Sequence, residues 1–389
     1  MKRTRQKAFD SQINYGVLMP VFVLILIGLL SLFVALKHSS YEDILVKMMA
    51  RQIIWIAIGF IAMMVVIYIS LHVLWLLAIP SYLLGLGVMI LPLFFYNPTL
   101  VKLTGAKNWV SIGSQTLFQP SELMKIAYIL FLAYLIMLHN AKFLERKIAS
   151  DLFLIGKLIL ATLPILILLK LQNDFGTILV FLAILCGMIL LSGISWKILL
   201  PAILVILLLI GIFIFLITNN VGRKVLQKAH ILQNYQLVRI DSWLDPFSDA
   251  NGQSYQQKQS LLAIGSGGLF GKGFNKTQVY IPIRESDMIF TVIGENFGFM
   301  GSTLVILLYF LLIYHMIKIT FESNNQFYTY IAAGLIMMIL FHVFENIGAN
   351  IGLLPLTGIP LPFISQGGSS MVGNLLGVGL ILSMHYQRE

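Results

Sequence analysis

An all-α polytopic membrane protein with about ten transmembrane helices is the fold class this sequence predicts. Hydrophobic residues make up 58% of the 389-residue chain and charged residues only 11%, with a mean hydropathy of +0.90. Soluble domains carry about 25% charged residues. Ten apolar stretches have the roughly 20-residue length that carries a helix across a bilayer. Glycine, proline and polar residues collect between those stretches, where spans must end.

The first span is expected at 15–37. Its apolar core is too long for a signal peptide and no A-x-A site precedes KHSSYED, so it reads as uncleaved. Further spans are expected at 52–70, 73–95, 122–139, 153–170, 177–194, 198–218, 287–316, 328–348 and 366–385. The tightest links, near Ser70–Val73 and Gly193–Lys197, leave room only for helical hairpins. The whole chain, 1–389, reads as a single transmembrane domain. One long loop of about 219–286 separates spans 7 and 8, and folded-back segments are expected at about 96–121 and 349–365.

Basic residues in short loops set the orientation. With the N-terminus inside, Lys2, Arg3, Arg5, Lys7, Lys142, Arg146, Lys147, Lys197, Lys318 and Arg388 lie inside. Lys37, Lys47, Arg51, Lys102, Lys107 and Lys170 lie outside. Ten against six places both termini in the cytoplasm. Nearly every segment rich in Gly, Pro, Asp, Trp and Gln then faces outward, which puts any chemistry at the outer leaflet.

Composition also excludes. The lone cysteine, Cys186, allows no intrachain disulfide. The net charge of +10 is scattered between spans, which argues against nucleic acid and for anionic or phosphorylated lipid.

The stretch RESDMIFTVIGENFGFMGS carries the first candidate residues. Asp287, Thr291, Gly294, Gly298 and Gly301 fall on one helical stripe, which lets a neighbouring helix approach closely. Asp287 stands at the mouth of that stripe, either as a helix cap or as a functional acid. Glu295 lies two turns deeper, where an ionisable side chain is a functional candidate or a structural hydrogen-bond partner.

In GAKNWVSIGSQTLFQPSELMK, QPSE reads as a helix start, with Ser121 at or near the cap, after Gln119 and Pro120. Glu122 and Lys125 are three apart and can pair on one face. Trp109 beside Lys107 suits an interface belt or stacking on a sugar. GSGGLFGKG fails the phosphate-loop pattern, because Ser266 and Gly273 stand where Gly and Ser or Thr are needed. Its backbone with Lys272 and Lys276 remains a candidate pyrophosphate cradle, or a connector. YQQKQSLLAIG nearby reads as an amphipathic piece lying on the membrane. LLPLTGIPLPFISQGGSS is broken by prolines and glycines, and irregular backbone at membrane depth belongs against protein or a wet cavity. LQNDFGT adds Asp174. No cluster of His and Cys has metal spacing, and His342 reads as a packed helix residue.

Taken in order, GAKNWVSIG, FQPSELMK, LQNDFGT, WLDP, YQQKQSLLAIGSGGLFGKG, ESDMIFTVIGENFGFMG and GLLPLTGIPLPFISQGGSS resemble the signatures of the SEDS proteins (shape, elongation, division and sporulation). TGIPLPF resembles the rod-shape branch of that family. The resemblance implies a ten-span glycosyltransferase that polymerises lipid II during cell elongation. It also implies a class B penicillin-binding protein and other elongation-complex membrane proteins as partners. The family's His-Thr-Asp motif corresponds to Glu285, Ser286 and Asp287, keeping the catalytic acid but not the residues before it. Its SYGGSS reads SQGGSS here, with Gln366 for the tyrosine.

On that resemblance Asp287 is the expected general base. Trp109, Gln119, Ser121, Glu122, Lys125, Ser365, Gly367, Gly368 and Ser369 are expected to bind substrate. Lys107, Lys125, Lys272, Arg239 and Arg51 are the cations that would face the pyrophosphate, and Asp174 and Glu295 are supporting acids. A divalent cation, Mg2+ or Mn2+, would assist such chemistry, but no ligand set for it is legible. The rival readings are a transporter of lipid-linked precursor and a non-catalytic scaffold of the wall-synthesis complex.

Overall fold

The computed structural model describes residues 14–39, 41–113, 115–143, 145, 147–219, 222–223, 234–247 and 254–387. Lys2, Arg3, Arg5, Lys7, Arg146 and Arg388, and part of the long loop, lie outside the described residues.

Among the described residues, ten helices of 17 residues or more stand where spans were expected. They are α1 (Tyr15–Lys37), α2 (Leu45–Ile67), α3 (Leu71–Phe94), α5 (Pro120–Lys142), α6 (Ile148–Leu171) and α7 (Phe175–Leu191). The others are α8 (Trp196–Thr218), α11 (Ile289–Ser323), α12 (Gln326–Asn350) and α13 (Gly368–Tyr386). Eight are long and apolar enough to cross a membrane by length and composition; α7 is a shorter apolar helix. The chain is a polytopic membrane protein.

Helix α2 begins seven residues before the predicted 52, after a 3-10 turn at Glu42–Ile44. Lys47 and Arg51 made that turn look like a loop, but both are exposed on the first coils of the helix, as long cationic side chains permit. The two tight links are short turns, 68–70 and 192–195, as expected. Ser70 accepts from Val73 N at 3.4 Å and Ser195 from Lys197 N at 3.3 Å, satisfying amides that open α3 and α8.

Helix α5 is the hub, packing on α3, α6, α7, α12 and α13. Helix α13 lies along α2, and α1 along α11. One cluster of buried apolar side chains joins residues of all ten helices, from Val17 to Met384. Helix α8 is the outlier, burying only Leu199 and Ile217 and leaving the rest of its apolar surface for lipid.

Irregular chain gathers at one end of the bundle. A short helix α4 (Pro98–Thr104) leads into an antiparallel pair, β1 (Val110–Ile112) and β2 (Gln115–Phe118). Within the long loop stand α9 (Asn234–Leu244) and α10 (Tyr255–Ser266). Helix α10 was expected to lie on the membrane. It packs instead on α11 and α12 and turns Gln257 and Ser260 inward. Gln257 Nε2 donates to Ala349 O at 2.9 Å and Ser260 Oγ to Asn350 O at 2.6 Å. The last carbonyls of α12 have no partner in their own helix, and these side chains supply one.

The glycine stripe finds its neighbour in the same place. Helix α11 breaks at Gly298 (φ 63°, ψ −157°). The chain after α10 enters the break: Phe299 N donates to Gly268 O at 2.9 Å and Met300 N to Leu269 O at 3.0 Å. In return Lys272 N donates to Glu295 O at 3.0 Å and Gly273 N to Asn296 O at 3.1 Å.

Candidate active site

Residues 267–288 form a strap that delivers Asp287. Buried Arg284 anchors it, with NH2 donating to His38 O at 2.6 Å and Nε to Ala35 O at 3.4 Å, at the C-terminus of α1. A cation there meets unpaired carbonyls and the negative end of the helix dipole. Three residues on, the backbone is held from several sides. Asp287 O accepts from Asn346 Nδ2 at 2.8 Å and Asn350 Nδ2 at 2.9 Å. Ser286 O accepts from Ser365 Oγ at 2.7 Å. The N-cap position of α11 is Met288 and no side chain caps it, so Asp287 does not take the capping role its position suggests.

The Asp287 side chain lines a cavity of about 770 Å3. Burial pushes its carboxyl above the usual carboxylate range, against the pull of its own backbone amide and of Arg239. Of the residues singled out in the sequence, Trp109, Gln119, Glu122, Lys125, Asp174, Arg239 and Gly367 line the same cavity. Segments more than 250 residues apart thus meet at one end of the bundle.

The cationic wall belongs to α5. Lys125, 2% exposed, bonds Glu122 Oε2 at 2.9 Å and His342 Nε2 at 3.0 Å. The other ring nitrogen of His342 stands 3.3 Å from Pro360 O, where it donates, leaving Nε2 to accept from the lysine. Arg239, exposed on α9, donates to Leu356 O at 3.1 Å and extends a second positive charge over the cavity. Asp174 caps α7 through Thr177 N at 3.1 Å and receives Asn108 at 2.8 Å and Gln119 at 3.1 Å on its other oxygen. It ties three loops of the wall together.

Other candidates stand behind the wall or away from it. Pro120 opens α5 and Gln119 holds its N-cap position without a side-chain capping bond, so Ser121 lies near the cap, as the second residue of the helix, rather than at it. Ser369 Oγ accepts from Gln119 N at 2.9 Å, and Ser365 Oγ accepts from Leu361 N at 2.8 Å. Gly368 makes room for the Trp55 ring where α13 meets α2. Arg51 donates to Thr116 O at 2.9 Å, and Lys107 lies 4.5 Å from the Tyr96 ring centre. Lys272 does not reach the cavity wall. Its ammonium pairs with Glu295 at 3.0 Å, and the same carboxylate oxygen accepts from Gln278 N and Val279 N at 2.8 and 3.1 Å. The glycine-rich segment is therefore a clasp on α11: the amides of Lys272 and Gly273 are bonded to its carbonyls and the Lys272 ammonium to Glu295. Among the described residues no three His, Cys, Asp or Glu side chains gather as a metal site would need.

Sequence reasoning missed Glu345, Asn346, Asn350 and Thr357. The two asparagines hold Asp287. Glu345, 3% exposed, receives the hydroxyl of Thr357, which lines the cavity. The rule that flagged Glu295, an ionisable group inside a span, applies equally to Glu345.

The sequence profile of the FtsW, RodA and SpoVE family, described as a cell cycle protein, matches residues 14–389. The chain belongs to the FtsW/RodA/SpoVE family. It is 34% identical over 380 residues to the peptidoglycan glycosyltransferase MrdB of Escherichia coli K12, covering 95% of this chain and 94% of that one. Stage V sporulation protein E of Bacillus subtilis 168 is 33% identical over 287 residues, 72% of this chain and 71% of that one. A solved structure on the coordination of polymerization and crosslinking by a peptidoglycan synthase complex superposes with a TM-score of 0.75 at 26% identity, covering 97% of this chain and 98% of that one. The crystal structure of Thermus thermophilus rod shape determining protein RodA gives 0.65 at 26% identity, with 97% of each chain covered. This FtsW/RodA/SpoVE member is accordingly a multi-pass protein of the bacterial cytoplasmic membrane. Its two departures from the SEDS motifs touch each other: Gln366 N donates to Glu285 O at 2.9 Å. The Glu285 carboxyl is buried, with Oε2 unpartnered. Burial and the neighbouring charge of Asp287 hold it above the usual carboxylate range, against its own backbone amide and Arg284.

Proposed function

We propose that this protein is a peptidoglycan glycosyltransferase that polymerises lipid II into glycan strands during cell elongation, with Asp287 as general base. The observation that carries the reading is a half-buried carboxylate on the wall of a cavity that also presents Lys125 and Arg239. Glycosyl transfer to a sugar hydroxyl needs a base for the attacking oxygen and cations for the departing pyrophosphate. Asp287 is positioned for the first task. A carboxyl with a raised proton affinity is a better proton acceptor than an ordinary one once ionised. Lys125 and Arg239 are positioned for the second. Trp109 offers a flat apolar face to a sugar ring. The acceptor hydroxyl oxygen forms the new bond to the anomeric carbon as the pyrophosphate–carbon bond breaks. The hydroxyl proton passes to Asp287, and the lipid pyrophosphate leaves.

The cavity end of the bundle faces the outer leaflet in this reading, with both termini in the cytoplasm. The partner is a class B penicillin-binding protein that crosslinks the strands, within the elongation machinery. If a divalent cation takes part, the lipid pyrophosphate supplies ligands for it. The test is incubation of purified protein with lipid II, wild type against Asp287→Ala. Glycan strands from the wild type and none from the variant are expected, with expression and partner binding unchanged. Polymer from Asp287→Ala at the wild-type rate would remove Asp287 from the mechanism.

A further inference from the structure

Thr357 and Glu345 form a polar pair that the chemistry above does not use. Glu345 lies near the end of α12, one residue before Asn346 and five before Asn350, the two side chains that hold the Asp287 carbonyl. Its Oε1 accepts the Thr357 hydroxyl proton. Thr357 lines the cavity, and the next residue abuts Asp287: a Cβ built on Gly358 would stand 3.8 Å from Asp287 Oδ2.

The direction of that hydrogen bond decides what Thr357 offers. A hydroxyl has one proton and two lone pairs. With the proton held by Glu345, the oxygen can only accept. The wall beside Asp287 therefore presents two acceptors, a carboxylate and a hydroxyl oxygen. Phosphate oxygens are acceptors too, and the Thr357 oxygen has nothing to donate to them. A sugar ring carries donors on neighbouring carbons, as hydroxyls or as the N–H of an acetamido group, and matches it.

We propose that Glu345 is a positioning residue: by holding the Thr357 proton it makes Thr357 an acceptor beside Asp287, and Thr357 receives a second hydroxyl or amide N–H of the acceptor sugar. This rests on the reading that the acceptor sugar enters on the Asp287 side, with the pyrophosphate toward Lys125.

The test uses purified full-length protein, continuous lipid II polymerisation, and synthetic lipid II lacking one hydroxyl or the acetamido group next to the attacking oxygen. Thr357→Val should raise KM about fivefold, the worth of one neutral hydrogen bond, with kcat within about twofold. Thr357→Ser should restore KM. Because Thr357→Val takes the hydroxyl partner from a buried carboxyl, the double variant Thr357→Val/Glu345→Leu removes both side-chain partners and should keep the raised KM. One of the trimmed substrates should show the same loss on wild type and no further loss on Thr357→Val. A wild-type KM in Thr357→Val, or recovery of KM in the double variant, would reduce Thr357 to a partner for Glu345. Additive losses with every trimmed substrate would also overturn the assignment. Full activity in Asp287→Ala beside a raised KM in Thr357→Val would sink the base assignment and leave this one standing.

Discussion

Gly298→Ala tests whether the strap that delivers Asp287 depends on the break in α11. At φ 63° and ψ −157° the residue occupies a region open essentially to glycine alone. Forcing another residue there costs about 1–3 kcal/mol. A Cβ would also stand 2.8 Å from Gly268 O and closer still to Gly271 N, both backbone atoms of the strap. Overpacking of that kind adds about 1–3 kcal/mol. The two together make roughly 4 kcal/mol. Unfolding entropy of about 2 cal/mol/K per residue over 389 residues turns that into a fall in Tm of about 5 °C. The alternative to that loss is release of the clasp, which lets α11 straighten and frees Glu295 from Gln278 and Val279. Asp287 lies nine residues beyond Gln278 on the same strap, so polymerase activity should fall with the melting temperature. The assays are a thermal melt of purified protein in detergent and the lipid II polymerisation rate. A Gly298→Ala protein with wild-type melting and wild-type rate would show that neither the break nor the clasp positions the acid.

Two further outcomes are expected. Because the Asp287 carboxyl is held above its ordinary 3.8, it is protonated, and useless as a base, until the pH rises past that elevated value. The pH profile of kcat/KM should therefore climb on its acidic side through a midpoint above 3.8, and a flat profile down to pH 4 would count against Asp287 as the base. Lys125→Met leaves the buried Glu122 without its cation, which costs about 3–5 kcal/mol, whereas Lys125→Met/Glu122→Gln should recover most of the stability and none of the polymerase activity. Recovery of both, measured by melt and by glycan product, would mean that Lys125 serves only to neutralise Glu122.

The helices were legible because their signal is local. An apolar run of span length has few alternatives in a chain with this composition, and the ends of α1 fall at the expected residues. The polar end of the bundle was legible in content but not in assignment. GSGGLFGKG looked like a candidate phosphate cradle because its composition fits one. Only the three-dimensional pairing with α11 reveals that the amides of Lys272 and Gly273 are bonded to its carbonyls. Lys272 looked like a free cation for the same reason, and Glu295, 16 residues or more from the amides it accepts, is its partner. The β1–β2 pair was hidden inside a segment read as a folded-back loop, although VSIGSQTLF alternates about a glycine turn. Glu345 escaped because it sits at the end of a span whose apolar residues dominate the window, and its partner Thr357 lies beyond the helix.

The strap explains why a carboxylate can be left facing a cavity without the loop collapsing around it. Non-helical chain packed among spanning helices must have its backbone groups satisfied by protein. Here the carbonyls of Glu285, Ser286 and Asp287 are taken in succession by Gln366 N, by Ser365 Oγ, and by Asn346 with Asn350. The donors come from the segment before α13 and from the end of α12, while Arg284 fixes the same loop to α1. With those bonds made, the backbone has no reason to rotate toward the cavity, and the Asp287 side chain remains as the group turned to it. A reacting acid must stay within a fraction of an ångström of its working position. Loss of one donor should therefore lower the rate before it lowers the melting temperature, because the remaining bonds still hold the fold but no longer hold the angle. Asn350→Leu, which removes one of the two bonds to the Asp287 carbonyl while Asn346 keeps the other, isolates that difference: kcat should fall while the melt stays near wild type, and an equal loss in both would make these contacts no more than packing.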